Sequence, residues 1–217
     1  MSIDAEPTPL DRSSAPPLRV VAWELTAACP LQCRHCRVGD GGRAGADHAG
    51  RSDELSPAEA RDALDQIAAL APKLLILTGG EPMLREDFYD LTARAVGHGL
   101  RVAAAPCGAL VTPDTARRML QAGIRRISLS LDGPDAATHD AFRGTTGAHA
   151  TVLSAVAAAR VAGLPFQINT TVHRGNVEAL PAMREQVRQE GAAGWDLFFL
   201  VPTGRGRALA GQELAPD

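Results

Sequence analysis

Three cysteines lie close together near the start of the chain, at Cys29, Cys33 and Cys36. The spacing C-x₃-C-x₂-C places their thiolates in one loop, directly after an apolar run. Thiolates are soft ligands that suit zinc, copper(I) or an iron–sulfur cluster. A cubane cluster held by three protein thiolates keeps one iron without a protein ligand, and an open coordination site on a metal is typical of chemistry. This spacing therefore predicts a reactive metal centre.

Two plainer interpretations compete with that prediction. The cysteines could hold a structural zinc ion, with Cys107 or His35 as a fourth ligand, or they could be buried thiols without a metal. His35 lies between two of the cysteines and is too close to both in sequence to share one ion with them comfortably. Cys107 follows a later strand, so it would have to approach from another part of the fold.

The composition indicates a globular chain with a buried core, since 45% of its 217 residues are hydrophobic. The net charge of −3 gives no basic field for nucleic acid. No apolar run approaches the roughly 18 residues of a membrane span, and residues 1–17 lack the apolar region of a secretory signal. We expect these residues to be a disordered leader. Four cysteines, three of them clustered, do not form a disulfide framework and favour a reducing cytoplasm.

Strands and helices alternate along the rest of the chain. We predict strands at 18–25, 74–77, 101–105, 126–131, 166–172 and 196–201. Helices are predicted behind a capping box at 56–59, and at 86–98, 112–123, 147–161 and 177–190. The alternation predicts an α/β fold, a partial (β/α)6 TIM-type barrel of parallel strands over residues 18–203. The glycine-rich stretch 38–52 is expected to be a mobile loop and a candidate lid, and residues 204–217 a tail.

Glycine-rich and polar motifs follow these strands, where parallel barrels place their chemistry. Gly79-Gly80-Glu81-Pro82 comes after the second strand, and a glycine pair allows a ligand to approach the backbone closely. In the stretch that ends strand four, alternation puts Ser128 and Ser130 on one face, where buried hydroxyls need polar partners. The plainer interpretation of the glycines is a simple turn between a strand and a helix. For the polar residues of strand five, Asn169, Thr170 and Thr171, it is a strand with one face toward solvent.

Taken together, these motifs resemble those of the radical S-adenosylmethionine (radical SAM) superfamily. The loop resembles the family's cluster-binding signature, and Gly79 to Pro82 resembles its GGEP motif. The resemblance implies a 4Fe–4S cluster on Cys29, Cys33 and Cys36, with the amino and carboxylate groups of SAM on the fourth iron. It also implies the residues that contact SAM: Gly79, Gly80, Glu81 and Pro82 at the ammonium, Ser130 and Asp132 near the ribose and carboxylate, Arg143 at the carboxylate, Asn169 near the ribose, and His35 and Leu200 at the adenine.

The implied reaction begins when a reduced cluster passes one electron to SAM. The products are methionine and a 5′-deoxyadenosyl radical, which removes a hydrogen atom from a small-molecule or peptide substrate. We expect an external reductant of the flavodoxin or ferredoxin type, and neither nucleic acid nor membrane as a partner. A non-catalytic zinc or iron–sulfur module, or an electron-delivery partner, is the alternative.

Within the superfamily, the chain is most similar to the subgroup with a C-terminal SPASM or twitch domain. The C-R-H-C-R of the loop and the closing F-F-L-V-P-T-G-R-G carry that similarity. It favours a tetrapyrrole or haem precursor as substrate, with peptide modification next. The subgroup's further cysteines are absent before Asp217, so we expect a fragment or a minimal core.

Several residues keep an open role. Cys107 is expected to face the site, as an inert side chain or as a substrate contact. Arg143 could instead be a solvated loop charge. Arg205 and Arg207 are expected in a solvated tail unless they bind substrate carboxylates or phosphate. Five histidines show no ligand spacing and are expected at the surface: His48, His98, His139, His149 and His173.

Overall fold

The computed structural model describes residues 17–37 and 54–214. The predicted leader, apart from Pro17, and the predicted lid lie outside these residues. No helix in the described ranges is long and apolar enough to cross a membrane.

Six parallel strands form one sheet whose order follows the chain, so each strand pairs with its neighbours in sequence. The strands are β1 Val20–Thr26, β2 Leu74–Gly79, β3 Val102–Ala104, β4 Ile124–Ser130, β5 Phe166–Val172 and β6 Trp195–Phe199. β1 and β6 are the two edges of the sheet. The prediction of an α/β fold with six parallel strands is confirmed.

Helices connect the strands, as parallel pairing requires. They are α1 Pro57–Ala69, α2 Phe88–Gly97, α3 Pro113–Ala122, α4 Ala136–Arg143, α5 Ala148–Ala162 and α6 Leu180–Gln189. Short 3₁₀ segments occupy Pro82–Leu84, Val177–Ala179 and Gly204–Gln212. The predicted capping box is present at α1: the Ser56 hydroxyl accepts from the Glu59 amide, and the Glu59 carboxylate accepts from the Ser56 amide.

The two faces of the sheet differ in chemistry. On β4, Leu129 is fully buried against the helices, whereas Ser128 and Ser130 on the opposite face are half-buried. β5 repeats the alternation, with Ile168 buried and Asn169 half-buried on the inner face. The apolar outer face supplies the main core, and the polar inner face is left for the site.

One helix was not predicted from the sequence. α4 lies between the end of β4 and α5, and its apolar spacing is too short to give a clear helical pattern. Its ends are marked instead by the Asp135 side chain, which accepts from the Thr138 amide, and by Gly144 at φ 69°. Arg143 therefore ends a helix and is buried, so the alternative of a solvated loop charge was wrong.

The segment after β6 also differs from the expected solvated tail. The Arg205 amide donates to the Cys36 carbonyl at 3.0 Å, and the Arg205 Nε donates to the Cys33 carbonyl at 3.0 Å. A Cβ on Gly204 would lie 2.2 Å from the Arg37 carbonyl oxygen, so the two backbones pack directly together. Of the two arginines in this segment, Arg207 is exposed, as the sequence predicted, and Arg205 is half-buried.

Candidate active site

A cavity of about 430 Å³ opens at the C-terminal ends of the strands. Ten of the thirteen residues predicted to bind the cluster or SAM line it: Cys29, Cys33, His35, Cys36, Gly79, Gly80, Ser130, Arg143, Asn169 and Leu200. The other three, Glu81, Pro82 and Asp132, are buried behind the wall. The cavity therefore unites motifs that are spread over most of the sequence.

The entry to the cysteine loop is fixed by the end of β1. The Thr26 hydroxyl accepts from the Ala28 amide at 3.0 Å and donates to the Glu54 carboxylate at 2.9 Å. The same carboxylate accepts from the Ala27 amide at 2.8 Å. Glu54 was missed by the sequence reasoning, since a lone glutamate before a helix carries no motif.

The glycine pair after β2 packs against this same segment. The Gly80 amide donates to the Thr26 carbonyl and the Glu81 amide to the Ala28 carbonyl, both at 2.7 Å. A Cβ on Gly79, whose φ is 131°, would lie 2.3 Å from the Thr26 oxygen, and one on Gly80 would lie 2.2 Å from the Ala28 oxygen. The glycines are thus required by the approach of two strand ends, in addition to facing the cavity.

The Glu81 carboxylate is hydrogen-bonded to backbone groups of the protein. Its two carboxylate oxygens accept from the Met83 amide at 3.0 Å and from the Cys107 amide at 2.7 Å. Burial raises the pKa of this carboxyl, and the hydrogen bonds from Cys107 and Met83 oppose that effect. The side chain therefore joins the turn after β2 to the turn after β3.

Arg143 and Asp132 form a buried ion pair beside the cysteines. The Arg143 Nε donates to Asp132 Oδ2 at 2.8 Å, and Nη1 donates to the Cys33 Sγ at 3.6 Å. The Arg143 carbonyl also accepts from the Arg34 amide at 2.9 Å. Although burial alone would raise the pKa of the Asp132 carboxyl, the net shift is downward, chiefly because of the Arg143 charge.

Three aromatic rings stack beneath the loop. His35 stacks on Phe142 with centroids 4.5 Å apart, and Phe142 stacks on His173 at 3.9 Å. His173 and His139 are both buried, so the prediction that they lie at the surface was wrong; His98 is exposed, and His48 lies outside the described residues. Burial lowers the pKa of His35 to about 4 and also lowers that of His173.

Strand five contributes side chains to the wall on alternate positions. Asn169 and Thr171 line the cavity, and the Asn169 Oδ1 accepts from the Gln167 side-chain Nε2 at 2.9 Å. Thr170 faces the other way, where its hydroxyl donates to the Leu131 carbonyl at 2.6 Å and accepts from the Trp195 indole. The alternation of the strand therefore puts Thr170 on the face opposite to Asn169 and Thr171.

The donor set fits an iron–sulfur cluster. The three loop thiols share one cavity, and a cubane cluster can be held there by three protein thiolates. A cubane takes each thiolate on a different iron, so its ligands stand farther apart than those of one zinc ion. A hydrogen bond from the Cys107 thiol lowers the pKa of Cys29 to about 7, which favours the ligating thiolate.

A comparison with protein families matches residues 23–186 to the radical SAM superfamily. The chain belongs to that superfamily. Its members use a 4Fe–4S cluster and SAM, as the cysteine loop and the glycine pair predicted. The relatives are of the haem-pathway and peptide-modifying kinds, in agreement with the predicted subgroup.

The AdoMet-dependent heme synthase of Nitratidesulfovibrio vulgaris is 41% identical over 201 residues, which cover 93% of this chain and 53% of that protein. The PqqA peptide cyclase of Granulibacter bethesdensis is 35% identical over 178 residues, covering 82% and 46% of the two chains. Among solved structures, a methylornithine synthase has a TM-score of 0.73 at 15% identity and covers 91% and 58%. The chain thus spans about half the length of the radical SAM relatives that it matches.

The glycine packing gives the first testable prediction. We expect Gly80→Ala to push the Thr26–Ala28 segment away, because the new Cβ would lie 2.2 Å from a backbone oxygen. The variant should lose most of its iron uptake on anaerobic reconstitution and unfold at a lower urea concentration. Gly97→Ala is the matched control, since nothing lies within 4 Å of its Cβ. Equal iron content in the two variants would contradict this account of the loop.

The buried His139 gives the second prediction. Its Nδ1 accepts from the Asp132 amide at 3.0 Å, and burial lowers its pKa to about 4. In the unfolded chain His139 has an ordinary pKa of about 6.5, so between pH 6.5 and 4 it binds a proton there but stays neutral in the folded protein. Stability should fall as the pH falls through that window, by on the order of 2 kcal/mol from this one side chain.

His139→Asn tests that prediction, because the amide oxygen replaces the Nδ1 acceptor without titrating. Urea unfolding of the cluster-free protein should be compared between pH 7 and pH 4.5. The advantage of the wild type over the variant should shrink as the pH falls. If the free energies of unfolding of the wild type and the variant fall in parallel over this pH range, His139 is not the cause of the pH dependence.

Proposed function

We propose that this chain is the catalytic core of a radical SAM enzyme, with its cluster on Cys29, Cys33 and Cys36. The observation that carries the proposal is the single cavity shared by those thiols, the glycine pair after β2 and the polar ends of β4 and β5. When bound, the cluster and SAM would supply an electron and a 5′-deoxyadenosyl radical for hydrogen abstraction.

The chain's own residues would bind and orient SAM in that cavity. Gly79 and Gly80 line the cavity, and their backbone carbonyls would suit an ammonium group, which needs acceptors only. Among the described residues, Arg143 donates to Asp132 and Cys33 from two of its five N–H groups, so others remain for the SAM carboxylate. Ser130 and Asn169 would meet the ribose, while Leu200 and the backbone of His35 would meet the adenine.

Glu81 and Asp132 take indirect roles in this proposal. Glu81 holds the Cys107 turn against the glycine pair, and Asp132 orients Arg143. Both are buried behind the cavity wall, so each would act on SAM through the residue that it positions.

A haem precursor is the substrate that the cavity rim favours. Phe198, Phe199 and Val201 line the cavity and are 53%, 68% and 63% exposed, which provides an apolar surface for a flat macrocycle. Arg37 and Arg205 also line the cavity and could bind carboxylate side chains of a porphyrin. The likeness to a heme synthase supports the same substrate class.

A peptide is the second candidate. β6 is an edge of the sheet beside the cavity, and an extended peptide can add to such an edge through its main chain. The likeness to a peptide cyclase agrees with this alternative. In either case we propose a flavodoxin- or ferredoxin-type donor of single electrons, in a reducing cytoplasm.

An anaerobic assay tests the proposed function. The protein is reconstituted with iron and sulfide, given SAM and dithionite, and examined for 5′-deoxyadenosine by chromatography. We expect about four irons per chain and deoxyadenosine from the wild type, and neither from Cys33→Ala. Cys107→Ala is the matched cysteine control, because three thiolates suffice, and it should retain its iron.

Two other results of this assay would distinguish the non-catalytic alternatives from the proposed enzyme. A protein that takes up the cluster without making deoxyadenosine would indicate an electron-delivery or structural module. A colourless protein that holds zinc would overturn the proposal.

The substrate is tested at the rim. Phe199→Ala should weaken the binding of a propionate-bearing iron porphyrin about fivefold, since truncation of an exposed ring costs roughly 1 kcal/mol of contact. Binding is followed by the shift of the porphyrin absorption band. Val161→Ala, at an exposed position on α5, is the control. Unchanged porphyrin affinity in Phe199→Ala, together with deoxyadenosine formation stimulated by a peptide, would favour the second candidate.

A further inference from the structure

The ion pair beside the cysteines has a feature that SAM binding does not explain. Arg143 directs one guanidinium N–H at the Cys33 sulfur, 3.6 Å away, while its Nε pairs with Asp132 at 2.8 Å. Arg143 is 7% exposed and Asp132 is not exposed at all. A buried cation is thus held in contact with one proposed cluster ligand.

Cys33 is distinguished from the other two ligands. It is buried, whereas Cys29 and Cys36 are both partly exposed. The Cys29 sulfur accepts from two neutral groups, the Leu31 amide at 3.5 Å and the Cys107 thiol, and the Arg205 guanidinium donates to the backbone carbonyl of Cys33. The charged donor is therefore directed at the thiolate that water solvates least.

The physical effect of this contact on a cluster has a definite sign. Reduction adds one negative charge to the cluster and its thiolates, and a cation hydrogen-bonded to a ligand sulfur stabilises that charge. The effect is larger in a buried site than in water, because the dielectric screening is weaker. Removal of the cation should make the cluster harder to reduce.

We propose that Arg143 raises the reduction potential of the cluster through its contact with Cys33, and that Asp132 is a positioning residue that sets the strength of this effect. The proposal rests on the proposed function, since it requires the cluster on the three loop cysteines. Asp132 opposes Arg143 electrostatically, yet its carboxylate lies on the Nε side and also accepts from the Thr171 amide at 2.7 Å. Its charge is therefore partly satisfied away from the cysteine.

The test is the midpoint potential of the reconstituted protein, measured without SAM by redox titration with detection by electron paramagnetic resonance. Arg143→Gln should become harder to reduce by a factor of about ten, which is ~59 mV for a one-electron couple. Asp132→Asn should shift the potential in the opposite direction, because it removes a negative charge. Arg188→Gln, at an exposed position on α6, controls for the loss of a positive charge and should match the wild type.

Shifts of opposite sign in the two variants would support the proposal. If the Arg143–Asp132 pair had only a structural role, both variants would lose iron and stability, and their potentials would not move in opposite directions. Potentials equal to the wild type, or shifts of the same sign, would overturn it. If Arg143→Gln takes up no iron, the midpoint potentials of Arg143→Lys and Asp132→Asn are compared with that of the wild type instead. Lysine keeps the charge, but its single ammonium cannot reproduce the planar fork, so a smaller downward shift is expected and an unchanged potential overturns the proposal.

A wild type that takes up no cluster would remove the proposed function and this inference together. A wild type that makes deoxyadenosine, with variants whose potentials do not move, would remove this inference alone.

Discussion

Asp132 is the residue on which the arrangement of the site depends, because groups from α4, from β5 and from the segment after β5 all bind it. Its amide donates to His139 on α4, its carbonyl accepts from Asn176 at 2.9 Å, and its carboxylate accepts from the Thr171 amide and from Arg143. Removing a carboxylate and a guanidinium from water costs several kcal/mol each, and only complete hydrogen bonding offsets that cost. The pair is therefore stable in one geometry, which fixes the end of β4, α4 and the cysteine loop relative to each other.

That constraint explains how a mostly apolar fold carries a polar cavity. The outer face of each central strand packs under helices, so its side chains are apolar and buried. The inner face holds polar groups that satisfy one another in part, as Gln167 does by donating to Asn169 and to Asp196. The fold thus separates the residues that stabilise the sheet from those that face the cavity.

The sequence predicted the parts of this structure that depend on local pattern. The six strands follow from their apolar runs, α1 and α3 follow from their capping residues, and the cysteine loop and glycine pair follow from spacing. The missed features depend on contacts between distant segments. Nothing local to Glu81 shows that its carboxylate binds the Cys107 amide, and nothing local to His173 shows that it stacks on Phe142. Short α4 was missed because eight residues give too little periodicity, although Asp135 and Gly144 mark its ends.

The loop after β1 has to keep its place beside β6, although β1 and β6 are the two open edges of the sheet. The two strands do not pair, so no ladder of hydrogen bonds fixes their separation. The segment after β6 supplies the connection instead, since the Arg205 amide binds the Cys36 carbonyl and its Nε binds the Cys33 carbonyl. Gly204 permits that approach, because any side chain there would meet the Arg37 backbone. The first and last described strands are thus joined across the cavity by backbone contacts to the cysteine loop, and the shape of the cavity depends on those contacts as much as on the sheet.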